Sequence, residues 1–97
     1  MDEAHEVPID GVLDLHAFQP GDVKDLVTEF LRACGEKGNL DVRIIHGKGT
    51  GALLRTVHAV LGRSAAVESF RLAPAEAGGW GATIVRLKEP PGRKDEA

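Results

Sequence analysis

Residues 43–61 read RIIHGKGTGALLRTVHAVL, and this stretch decides the fold. Val42, Ile44 and Ile45 lead up to His46, and 42–46 reads as a strand. Gly47, Gly49 and Gly51 then alternate with Lys48 and Thr50, and a leucine-rich segment follows with no proline to interrupt it. A β-branched run, a glycine turn and a segment with Leu53, Leu54, Val57, Val60 and Leu61 at helical spacing predict strand, turn and helix in that order. Glycines between a strand and a helix let the backbone take positive φ and approach a ligand closely. Amides exposed at the helix start suit a phosphate, Lys48 adds a mobile cation, and Thr50 adds a hydroxyl that can cap the helix. The spacing matches neither G-x-x-x-x-G-K-[ST] nor G-x-G-x-x-G, which argues against a nucleotide cofactor.

Outward from this core, Gly11 to His16 alternates, with Leu13 and Leu15 on one face and Asp14 and His16 on the other. Pro20-Gly21-Asp22 opens a helix to about Lys37, with Val23, Leu26, Val27, Phe30, Leu31 and Cys34 as its apolar stripe and Gly38-Asn39 as its stop. The second helix, from 51 or 52, is expected to end at Gly62. Residues 67–72 and 82–87 read as two more strands, joined by a long loop, 74–81. The order β-α-β-α-β-β with right-handed crossovers predicts an α/β two-layer sandwich. It has a mixed four-stranded sheet and two helices on one face, with Leu13, Leu15, Phe30, Ile44, Val57, Leu61 and Phe70 in one core. His16 and His46 then reach neighbouring carboxyl ends, the edge where open α/β sheets bind ligands.

The chain has 97 residues, enough for one small domain. The expected division is a tail at 1–8, a domain at 9–88 and a disordered tail at 89–97, where two prolines and mixed charge occur. One cysteine, Cys34, excludes an intramolecular disulfide and a cysteine-based metal site. No apolar run approaches the roughly 20 residues of a membrane span, and the acidic start is no signal peptide, so a cytoplasmic protein with no membrane contact is expected. The net charge is −3, but residues 11–87 hold nine basic and eight acidic side chains. A near-neutral body lacks the bulk footprint of a strong nucleic-acid binder, so any such contact must come from local arrangement.

Leu13-Asp14-Leu15-His16, His46-Gly47-Lys48-Gly49-Thr50-Gly51 with Ala52-Leu53-Leu54-Arg55 after it, and Gly78-Gly79-Trp80-Gly81 together resemble the small MutS-related (Smr) domain, from about Ile9 to Leu87. The resemblance implies a fold like the C-terminal domain of translation initiation factor three. It implies an endonuclease that cleaves DNA or RNA, selective for structure rather than sequence, often with magnesium or manganese, in repair, recombination or RNA processing. The family's usual glycine after LDLH is Ala17 here, and its acidic-alanine pair at the first helix is Asp22-Val23. With no ATPase or clamp expected beside the domain, targeting is expected to come from the domain or from a protein partner.

His46 is the candidate general base or metal ligand, as an imidazole titrating near neutrality. Asp14 and His16 are candidate metal ligands or an oriented pair, and Asp14 as a cap for local amides stands beside that reading. Gly47, Lys48, Gly49, Thr50 and Gly51 are the expected phosphate cradle, with Arg55 reaching it or lying in solvent. Alternation places Arg43, Arg71 and Arg86 on the uncovered sheet face, with Phe70 and Leu72 buried behind. Trp80 either stacks on an unpaired base or packs over its loop. His58 is expected on the helix surface. The competing function is a nucleic-acid-binding module of the same fold that does not cleave.

Overall fold

The computed structural model describes residues 11–49, 51–77 and 79–89. Thr50, Gly78 and the expected tails, but for Glu89, lie outside the described residues. The central strand β2, Asp41–Ile45, alternates as its sequence demands: Val42 and Ile44 are buried, while Arg43 and Ile45 are half-buried on the other face. β1, Val12–Asp14, runs parallel to it in the register Val12–Arg43, Leu13–Ile44, Asp14–Ile45. β4, Ala82–Leu87, lies antiparallel on the other side of β2, and β3, Val67–Leu72, pairs antiparallel with β4. The sheet order is β1-β2-β4-β3. The expected mixed sheet with two helices is therefore the observed architecture.

β1 is shorter than expected, because Asp14 caps a 3₁₀ turn at Leu15–Ala17 and ends the strand two residues before His16. Helix α1, Val23–Glu36, follows a 3₁₀ turn at Pro20–Asp22 and buries Val23, Val27, Phe30, Leu31 and Cys34. Its end is fixed by Gly38 at φ 78°, with Asn39 N–H donating to the Cys34 carbonyl at 2.9 Å and Gly38 N–H to Gly35 at 3.1 Å. That 6→1 and 5→2 pair is how a glycine closes a helix without stranding its last carbonyls. Helix α2, Ala52–Arg63, runs through Gly62 and stops one residue later. A glycine weakens a helix interior by about 1 kcal/mol, which does not end a helix anchored by buried Val57, Val60 and Leu61.

The core joins both helices to β1, β2 and β4, with Phe30 the largest of its fully buried side chains. Two expectations on β3 fail. Phe70 is half-buried against the core rather than within it, and Leu72 is 42% exposed. β3 is an edge strand with a neighbour on one side, and the register slips between Val67 and Ser69. That irregularity lets Val67 and Phe70, three apart, both pack on the core despite a period of two. Phe30→Ala should lower stability by about 3–5 kcal/mol. A denaturant melt showing less than 1 kcal/mol would mean that the helix layer is not packed as described.

Candidate nucleic-acid interface

The amides of His46 and Gly47 both donate to the Gly81 carbonyl, at 3.0 and 2.8 Å. This ties the turn after β2 to the turn before β4. Gly47, at φ 83°, bends the chain away from the sheet, and Gly51, at φ 89°, starts α2, where Arg55 N–H donates to its carbonyl at 3.0 Å. Lys48 lies across the second turn: a Cβ added to Gly81 would meet Lys48 Cγ at 3.1 Å. Its ammonium is 5.8 Å from the centre of the Trp80 ring, which is 49% exposed. The Arg55 guanidinium folds back to 3.4 Å from where a Gly51 Cβ would stand. A cavity of about 140 Å³ opens between His46, Gly47, Gly49, Gly51 and the first turn of α2. One member of the expected cradle differs, since the Gly47 amide is engaged by Gly81 and does not face a ligand.

His46 continues the parity of Val42 and Ile44 and points to the helix side, 6% exposed. Its Nε2 is 2.8 Å from Thr83 Oγ1, and its Nδ1 is 3.2 Å from the Gly47 carbonyl. His58 Nε2 lies 2.8 Å from the same hydroxyl. The expectation that His58 sits on the helix surface is thus corrected: it is half-buried, edge-on to Phe70 at 4.9 Å and to His46 at 6.1 Å. Thr83 was not a candidate from the sequence, yet it shares the inward parity of Val85 and Leu87 and is fully buried. A hydroxyl at a core position demands a partner, and that signal was available.

On the other side of β2 the pair Asp14–His16 is exposed, with Asp14 beside Ile45 in register. Asp14 Oδ1 accepts from the His16 backbone N–H at 3.1 Å and from its ring Nδ1 at 2.9 Å. Both readings of Asp14 hold together, as turn cap and as ring orienter. The ring bond, then the backbone bond, hold the carboxyl below its usual value. The ring's Nε2 is left as its acceptor, on a side chain 82% exposed. Hydrogen bonds join His46 to the helix side and His16 to Asp14, so the two histidines share an edge but not a face.

Arg43 and Arg71 flank Ile84 in one row of the uncovered face, Arg43 half-buried and Arg71 exposed. Arg86 is in another row and forms a 2.6 Å ion pair with Asp41, which offsets its charge. Among the described residues no three His, Cys, Asp or Glu side chains gather as a metal-binding group. A larger apolar groove, of about 370 Å³, lies at the opposite sheet edge between Leu31, Ala66 and Leu87. It brings no candidate site residue with it, whereas the smaller cavity under the glycine turn holds His46, Gly47, Gly49 and Gly51.

A glycine turn and a helix start around one cavity, with Lys48 and Trp80 beside each other next to it, at the carboxyl edge of a mixed sheet, define a small mixed α/β domain. The Smr domain model matches residues 13–88, and the chain belongs to the Smr domain family. It is 38% identical over 77 residues to endonuclease MutS2 of Solidesulfovibrio magneticus and 40% identical over 77 residues to that of Symbiobacterium thermophilum. Both matches cover 79% of this chain and 10% of the relative, so the chain spans about a tenth of the length of these relatives. The Smr domain of Thermus thermophilus MutS2 superposes with a TM-score of 0.76 at 36% identity, covering 79% of this chain and 96% of that one. YdaL, a stand-alone small MutS-related protein from Escherichia coli, gives 0.74 at 26% identity, covering 89% and 70%. Among the described residues no helix is long and apolar enough to cross a membrane.

Burial, then the neighbouring His46 ring, pushes the His58 imidazole below its ordinary 6.5. The unfolded chain therefore takes up this proton first. Stability should be full above pH 6.5 and fall as the pH drops from there through the lowered value of the folded state. Urea melts between pH 7.5 and 5 should show that loss, and His58→Gln should flatten it. An equal loss in the variant would place the titration elsewhere.

Proposed function

We propose that the domain holds the sugar–phosphate backbone of DNA or RNA at the Gly47–Gly51 turn and cleaves phosphodiester bonds there. The observation that carries this reading is the pair of hydrogen bonds that the His46 and Gly47 amides donate to the Gly81 carbonyl. It sets Lys48 beside Trp80, next to the cavity that opens at the start of α2. The first-turn amides of a helix have no intrahelical acceptor and sit at the positive end of its dipole, so they suit a phosphate. Lys48 and Arg55 add charge to the same place, and Trp80 offers a face for an unpaired base. Arg43 and Arg71 extend the contact along the uncovered face. The name of the MutS2 relatives supports a nuclease over other phosphate chemistries. Substrates with exposed single strands, such as repair or recombination intermediates and structured RNA in the cytoplasm, fit the indole, and a protein partner would supply targeting.

In this reading His16, held by Asp14, presents Nε2 to the attacking water, and His46 exchanges a proton at the cavity. Asp14 supplies one hard oxygen and His16 one nitrogen, too few donors for a resident ion. A magnesium or manganese ion at Asp14 would fill its shell with water and phosphate oxygens, as such ions commonly do, and would neutralise phosphate charge. The engagement of both His46 ring nitrogens favours the second reading, a binding module that does not cleave.

Supercoiled plasmid and structured RNA, each with and without magnesium or manganese, separate the two: turnover supports cleavage, and salt-sensitive binding without turnover supports the module. Asp14→Asn and His16→Ala, both at exposed positions, should slow single-turnover cleavage by about 10²- to 10⁴-fold with the melting temperature unchanged. His46→Ala should slow it as much, but with a loss of about 1–3 kcal/mol in stability, because a buried hydroxyl loses a partner. Lys48→Ala should weaken binding equally for unrelated sequences and reduce the salt slope by about one phosphate contact. A sequence-selective loss would remove Lys48 from the phosphate.

A further inference from the structure

We infer that His58 and Thr83 form with His46 a proton-ordered chain, its direction set by the Gly47 carbonyl, that supplies the His46 proton. Both act as positioning residues for cleavage, an inference that rests on the nuclease reading above. The order follows from counting protons. The Gly47 carbonyl only accepts, so the 3.2 Å contact from His46 Nδ1 is a bond when that nitrogen carries the proton. A neutral His46 then has a bare Nε2, and the Thr83 hydroxyl at 2.8 Å donates to it. Thr83 has one O–H, so toward His58 it accepts, and His58 Nε2 at 2.8 Å must donate. Every group is satisfied in one order: His58 Nε2–H to Thr83 Oγ1–H to His46 Nε2.

The chain connects two environments. His46 stands at the floor of the cavity beneath the glycine turn, whereas His58 is half-buried on α2. The groups facing His58 are Thr83, the His46 ring and the Phe70 ring. The charge that acts on His58 is that of His46, and it lowers the His58 pKa, so two positive rings disfavour each other here. One added proton is accommodated without moving a heavy atom. It sits on His58 with Thr83 turned to His46, or on His46 with Thr83 turned to His58.

In cleavage the departing oxygen takes the proton from His46 Nδ1. The Thr83 O–H breaks as an N–H forms on His46 Nε2, and the His58 Nε2–H breaks to restore the hydroxyl. His58 takes a proton from water at Nδ1. One proton has passed from solvent to the leaving oxygen, and no ring has become an anion. Reprotonation of His46 Nδ1 drives the chain back.

Long-range proton–nitrogen NMR of imidazole-labelled protein above pH 7 reads the tautomers directly, whether or not the protein cleaves. His46 should carry its proton on Nδ1 and His58 on Nε2. Thr83→Val should leave His46 protonated on Nδ1, where the Gly47 carbonyl holds it, but should make His58 a mixture of tautomers, and Thr83→Ser should restore the single form. His46 protonated on Nε2 in the parent protein, or a His58 tautomer unmoved by Thr83→Val, overturns the chain. In single-turnover cleavage Thr83→Val should be about tenfold to hundredfold slower at unchanged substrate affinity, the range for removal of a group that orients an active one. Thr83→Ser should recover the rate. His58→Gln keeps a donor to Thr83 without titrating, so it should hold the His46 tautomer yet change the pH–rate profile. A Thr83→Val protein that cleaves like the parent sinks the proton supply. A parent that cleaves neither plasmid nor RNA sinks the nuclease reading, while the tautomers still decide the chain.

Discussion

One oxygen organises the working edge of this domain. The Gly81 carbonyl accepts from His46 and Gly47 together, using both of its lone-pair directions where the β2–β4 ladder ends. Without that shared acceptor, the two glycine turns would be separate surface loops, 34 residues apart at Gly47 and Gly81. With it, Lys48 passes over Gly79 and Gly81, and a side chain at Gly81 would crowd its stem at 3.1 Å. The glycine at 81 is thus favoured by a close approach and not by backbone angle, whereas Gly47 and Gly51 are favoured by positive φ. Two different uses of the same residue type build one concave site.

Charge is arranged with the same economy. The body of the chain is nearly neutral, and much of its basic complement is already answered: Arg32 pairs with Glu29 and Glu36 along α1, and Arg86 with Asp41 across the sheet. Exposed pairs of this kind add little stability, but they cancel long-range field. Lys48 and Arg55, by contrast, stand beside the start of α2, where the backbone adds about half a positive charge. Under the proposed function a phosphate would meet this charge first, with Arg43 and Arg71 as further contacts, and so few cations would release few counterions.

Most of the fold was legible because period and punctuation agree. The α1 stripe, the β2 alternation and the turns at Gly38 and Gly51 each follow from local rules, and the topology follows from their order. The misreadings have one physical source, tertiary context acting on positions that look local. Gly62 does not stop α2 because three buried side chains around it hold the helix. Leu72 is exposed because β3 is an edge, which no periodicity within the strand reveals. The site was legible as a set of residues but not as a set of faces. Asp14 and His16 stand together as alternation predicts, but through a 3₁₀ turn and not a strand, because β1 ends at Asp14. Thr83 and His58 were missed because each is unremarkable alone. Their meaning lies in a distance across the core between positions 25 residues apart.

The two histidines at the edge show how one residue type is set to different tasks by its neighbours. His16 is held by a carboxylate, an acceptor that fixes the proton on Nδ1 and leaves Nε2 turned to water. His46 is held by a hydroxyl, which fixes nothing by itself, since Oγ1–H can donate or accept. What breaks the symmetry is the Gly47 carbonyl on the far side of the ring, and that carbonyl is positioned because its own amide is bound to Gly81. The tautomer of His46 and the shape of the glycine turn are therefore one constraint. A ligand that pulls the turn away from Gly81 would also release the Nδ1 proton from its acceptor, when that proton is needed elsewhere. Thr83 suits such a site better than a carboxylate or a valine would. It keeps a buried ring satisfied in either proton order, where a carboxylate would hold one order and a valine would hold none.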